Sequence, residues 1–63
     1  MIEKISPVVI EGNSHYYITL VGKNQIYDVD VSVYPEIVTY DAGDSIEFTC
    51  FEGTKLCEVT GIK

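Results

Sequence analysis

The residues of this chain best suited to chemistry are carboxylates. Asp28 and Asp30 stand two positions apart, and Asp41 and Asp44 flank Ala42-Gly43. Paired carboxylates do general acid–base work when an enclosing pocket drives their pKa values apart. Nothing in the flanking sequence supplies such an enclosure. Asp41-Ala42-Gly43-Asp44 also lacks the length and ligand count of a calcium loop and reads as a turn. His15, the single histidine, follows Ser14 with no Gly-x-Ser-x-Gly motif beside it, which favours a surface or turn residue over a catalytic base.

Cys50 and Cys57 fall short of the four ligands that a structural metal site needs, even with His15 counted. A disulfide between facing strands would be strained in a hydrogen-bonded register. The N-terminus has no signal-like apolar stretch, so free thiols are expected. The five glycines are isolated, and no phosphate-cradling loop is formed. The sequence therefore predicts no catalytic, metal or cofactor-binding residue and no enzymatic activity.

The elements that carry these residues show in an interrupted period-2 rhythm. Tyr16, Ile18 and Leu20 alternate with Tyr17, Thr19 and Val21, and after Gly22-Lys23-Asn24-Gln25 the residues Tyr27, Val29, Val31 and Val33 alternate with Asp28, Asp30, Ser32 and Tyr34. Successive side chains on a strand point to opposite faces, so this is a hairpin with one apolar face and one acidic, aromatic face. Five strands are expected, roughly 2 to 11, 15 to 22, 25 to 34, 44 to 52 and 55 to 62. Gly12-Asn13-Ser14 separates the first two, and Pro35 ends the third. Residues 35 to 40 read as an extended crossing or a single helical turn.

Turn length proposes the registers. A two-residue loop at Lys23-Asn24 places Leu20 opposite Tyr27, Ile18 opposite Val29 and Tyr17 opposite Asp30. A one-residue slip would turn Asp28 and Asp30 into the core, so the parity is firmly set. In the last hairpin a Gly53-Thr54 loop places Cys50 opposite Cys57. Ile46, Phe48, Cys50, Cys57 and Val59 then face inward, and Glu47, Thr49, Phe51, Leu56, Glu58 and Thr60 outward. Two apolar pairs point outward near the turns, Val21 with Ile26 and Phe51 with Leu56. They read as tip clusters under another part of the chain or as a contact patch.

Residues 1–63 make one domain. Short strands with short connections hide their edges most economically by closing, which predicts an all-β fold, a small five-stranded antiparallel barrel, SH3-like or incomplete OB-like. The longest apolar run, Val8-Val9-Ile10, is far below the roughly 20 residues of a membrane helix, and a cytoplasmic location is expected.

Ten acidic residues against four lysines give a net charge of −6, which disfavours nucleic-acid backbone and favours a basic protein surface. The expected function is a non-catalytic acidic binding module, an inhibitor or adaptor. Its partner-binding residues are Tyr17, Asp28, Asp30, Tyr34, Glu47, Phe51, Leu56 and Glu58. One alternative is an OB-like module for single-stranded nucleic acid that stacks bases on Tyr17, Tyr34 and Phe51. The other is a structural homo-oligomer joined through the apolar pairs.

Overall fold

The computed structural model describes residues 1–52 and 56–63. It is all-β, with strands β1 (Ile2–Ile10), β2 (Asn13–Leu20), β3 (Ile26–Asp30), β4 (Phe48–Glu52) and β5 (Leu56–Ile62), and a 3-10 helix at Pro35–Thr39 between β3 and β4. The strands form one sheet in the order β1-β2-β3-β5-β4. Three of its pairings are antiparallel, and β3 runs parallel to β5. The sheet is therefore mixed, with β1 and β4 as its edges: the expected all-antiparallel pairing is corrected by the parallel β3–β5 pair, and the ladders among the described residues do not close the sheet into a barrel. Sequence-adjacent strands reveal antiparallel hairpins. The parallel pairing is set at long range, by the chain crossing from β3 to β4 and turning back.

Glu11 and Gly12 connect β1 to β2 with φ of +50° and +82°. Two consecutive positive φ values make a type I′ turn, whose twist matches that of the flanking strands. Asn13 and Ser14, expected in the loop, belong to β2 instead. Glu11 is a poor occupant of left-handed space, which asparagine tolerates far better. Glu11→Asn is expected to raise stability by about 0.5–1 kcal/mol, read as a higher urea midpoint at an unchanged slope.

The β2–β3 connection spans Val21 to Gln25 rather than two residues, so the register differs by two from the expected one. Ile18 opposes Tyr27, Tyr16 opposes Val29 and Tyr17 opposes Asp28. A shift of two keeps every side chain on its face. The β4–β5 register also differs by two, with Cys50 opposite Val59, Phe51 opposite Glu58 and Glu52 opposite Cys57. Cys57 is buried and Cys50 half-buried. The expected Gly53-Thr54 turn lies outside the described residues.

One face of the sheet makes the core. Ile2, Ile18, Leu20, Tyr27, Val29, Ile37, Ile46, Cys57 and Val59 are buried together, and Tyr16, Val31, Tyr34, Tyr40, Phe48 and Cys50 pack against them. Tyr27 stacks on Phe48 with ring centroids 5.2 Å apart. The lid over this face is the segment from Val31 to Ile46. Its 3-10 helix starts at Pro35, where a missing N–H costs nothing, and buries Ile37 completely. Residues 35 to 40 thus take the helical of the two expected forms.

The two edges differ. Pro7 lies opposite Tyr16, three positions from the Ile10–Asn13 pair that closes the two-residue turn. Ladder bonds alternate from that closing pair, so Pro7 falls where an N–H would point out of the sheet, the place where an edge strand tolerates proline. Nearer the start of β1, the Ile2 N–H donates to Asp44 O at 2.8 Å and Ile2 O accepts from the Gly43 N–H at 2.8 Å. The Asp41–Asp44 turn that supplies these groups is closed by the Asp44 N–H to Asp41 O, 3.1 Å, and by the Asp41 N–H to Asp44 Oδ2, 2.8 Å. The Asp44 carboxylate thus does turn chemistry, as expected of this segment.

Candidate functional site

Among the described residues, no element forms a layer over the second face of the sheet. Ladder partners align across it into a row through all five strands: Ser6 opposes Tyr17, Tyr17 opposes Asp28, Asp28 sits beside Glu58, and Glu58 opposes Phe51. A second row runs from Lys4 through Thr19 and Ile26 to Leu56. Phe51 is 70% exposed, and Ile26 and Leu56 are 38% and 37% exposed. Carboxylates thus stand at the centre of the face with an aromatic residue on either side. An exposed apolar cluster lies towards β4. Val21, at 58% exposed, lies in the β2–β3 turn, so both outward apolar pairs are open rather than covered.

Five of the eight expected residues, Tyr17, Asp28, Phe51, Leu56 and Glu58, share these two rows. Asp30 is on the same face beyond them, opposite His15. The other two do not join. Tyr34 lies past the end of β3 and packs against the core, because the chain leaves the strand path after Asp30. Glu47 precedes β4 and lines a cleft with Met1, Leu20, Lys23 and Phe48 at the opposite end of the sheet.

The turn that carries Tyr34 away is built by Asp30. Its Oδ1 accepts the Ser32 hydroxyl at 2.7 Å and the Ser32 N–H at 2.9 Å, and its carbonyl accepts the N–H groups of Val33 and Tyr34. The Ser32 hydroxyl and then the Ser32 amide hold the Asp30 carboxyl below its ordinary value of 3.8. A carboxylate whose folded value lies below its unfolded one stabilises the fold above the unfolded value. That contribution is lost as pH falls through the folded value. Asp30→Ala is therefore expected to be less stable than wild type at pH 7, with the difference shrinking towards zero at pH 2. Parallel urea melts check this.

His15 joins the site without having been singled out for it. Its Nδ1 lies 2.8 Å from Asp28 Oδ1, with the two side chains 15% and 13% exposed. His15, Asp28, Asp30, Glu58 and Val59 line a cleft of about 210 Å³. The sequence did carry a signal: His15 and Asp28 have the same face parity, but the expected register placed them too far apart to meet. No hydrogen bond or ion pair with a described residue engages the Glu58 carboxylate.

Chemically, this arrangement offers negative charge, aromatic surface and one imidazole on an open sheet. Among the described residues, no three His, Cys, Asp or Glu side chains are grouped to hold a metal ion. No helix among them is long and apolar enough to cross a membrane. Comparison of the chain with family models, curated proteins and solved structures finds no match, so the functional reading rests on the geometry of this face.

Proposed function

We propose that the protein is a non-catalytic binding module that docks a basic surface of another protein on the open face of its sheet, as an inhibitor or adaptor. The observation that carries this reading is the row Tyr17, Asp28, Glu58 and Phe51, which lies across the sheet with no described element layered over it. Aromatic side chains flanked by polar groups supply buried area at interfaces, and carboxylates steer a basic partner and fix its orientation. The net charge of −6 acts in the same direction at longer range.

Of the two expected architectures, the strand order, the parallel β3–β5 pair and the short helix between β3 and β4 favour the incomplete OB-like one. The bonds from Ile2 to Gly43 and Asp44 stand in for a β1–β4 ladder. OB-folds bind oligonucleotides on the face of their second and third strands. Here that face presents Asp28 and Asp30, which repel phosphate, and a protein partner is the better fit.

The test is a nuclease-treated pull-down from lysate of the source cell or its host, comparing wild type with Asp28→Lys/Glu58→Lys. A protein retained by wild type and lost by the variant supports the reading. Equal retention by both, or an oligonucleotide bound in its place, defeats it.

A further inference from the structure

We propose that His15 is the charge regulator of the docking face, so that acidification through the imidazole range weakens the hold on a basic partner. This inference rests on the docking-face reading and adds its regulation.

Histidine is the side-chain type that changes charge between pH 5 and 8, and His15 is the single histidine of the sequence. Carboxylates as a class are ionised across that window, and Asp30 is held below its ordinary value by Ser32. The charged and titratable groups facing His15 are these. From β3, Asp28 is in contact and Asp30 lies directly opposite; from β5, Glu58 lines the same cleft. From β1, the residue opposite is the uncharged Val8, and along β2 the next side chain on the face is Tyr17. Described residues of β4 place no charge in this cleft.

When neutral, the imidazole donates its Nδ1 hydrogen to Asp28 Oδ1 and leaves Nε2 as an acceptor. The three carboxylates around the cleft then present three negative charges to a partner. On protonation both ring nitrogens become donors. The Nδ1–H···Asp28 bond becomes charge-assisted, and Nε2–H gains a donor's attraction to Asp30 and Glu58 in the same cleft. One positive charge now sits inside the cleft, competing with the partner's lysine or arginine for the same carboxylates.

A partner cation about 6 Å from the imidazolium, near a protein surface of high effective dielectric, loses affinity by about threefold to tenfold. The geometry makes the change reversible and local, since neither form of His15 requires the sheet to move.

The probe is a hexalysine peptide titrated at low ionic strength into the isotope-labelled full chain and followed by amide NMR shifts. At pH 8 we expect shifts at Tyr17, Asp28, Phe51 and Glu58. At pH 5.5 the same titration should give a dissociation constant about threefold to tenfold weaker, as above. His15→Gln should bind alike at both pH values, and His15→Lys, a fixed cation, should bind weakly at both. Retained amide dispersion shows that each variant is folded, and His15→Asn replaces any that is not.

Wild-type binding that is the same at both pH values, or a pH dependence that survives in His15→Gln, overturns this inference and leaves the docking face standing. No binding of the peptide at pH 8 overturns the docking face and this inference with it.

Discussion

Ile37→Ala is expected to lower stability by about 3 kcal/mol, in the range measured for truncating a buried isoleucine. Ile37 is fully buried and is the one buried residue of the 3-10 helix. Its side chain therefore carries most of the attachment between that helix and the sheet. The helix is only five residues long and cannot persist by local bonding alone. A chain of this size has a total stability of about 3–9 kcal/mol, so the variant should be substantially unfolded at 37 °C. Its neighbour Val38 is 55% exposed, and Val38→Ala should fall within about 0.5 kcal/mol of wild type. Urea melts of the two variants give the contrast. A Val38→Ala loss equal to that of Ile37→Ala would mean that the helix is held by some other part of its surface.

The second large effect is on binding. Asp28→Lys/Glu58→Lys is expected to weaken a basic partner's affinity by at least about 100-fold, close to 3 kcal/mol, because two attractive pairs become like-charge contacts at the centre of the face. Asp28 and Glu58 are neighbours across the parallel β3–β5 pair, so one partner side chain can meet both. Asp30→Lys should matter less for binding, since that carboxylate is already turned to Ser32. It should cost more in folding, because it removes the turn's acceptor. Measuring both affinity and melting midpoint for the two variants separates these roles. If Asp30→Lys proves the more damaging to affinity, the partner sits towards His15 rather than over the central row.

The side-chain faces were legible in the sequence, because a period of two leaves little freedom once Asp28 and Asp30 must stay out of the core. Ile18, Leu20, Tyr27, Val29, Cys57 and Val59 are all buried on the expected side. Registers were not legible. They depend on loop length, and the β2–β3 connection uses five residues where Lys23-Asn24 alone could have turned the chain. Nor was the early end of β3. Val31 and Val33 continue the apolar alternation, but Asp30 offers the backbone and Ser32 a competing set of hydrogen bonds, and the strand stops there. Tyr34 changed sides for that reason. The meeting of His15 with Asp28 follows from the same registers, so it became visible only once they were known.

The strand that leaves the ribosome last of the five lies inside the sheet, between β3 and β4. During synthesis β1, β2 and β3 can pair as they emerge, but β3 keeps an open side and β4 has no ladder partner until residues 56–62 are free of the exit tunnel. The nascent chain therefore has no complete sheet to adopt until that strand has emerged. Until then, Tyr27 and Val29 on β3 lack the Cys57 and Val59 side chains that share their buried cluster.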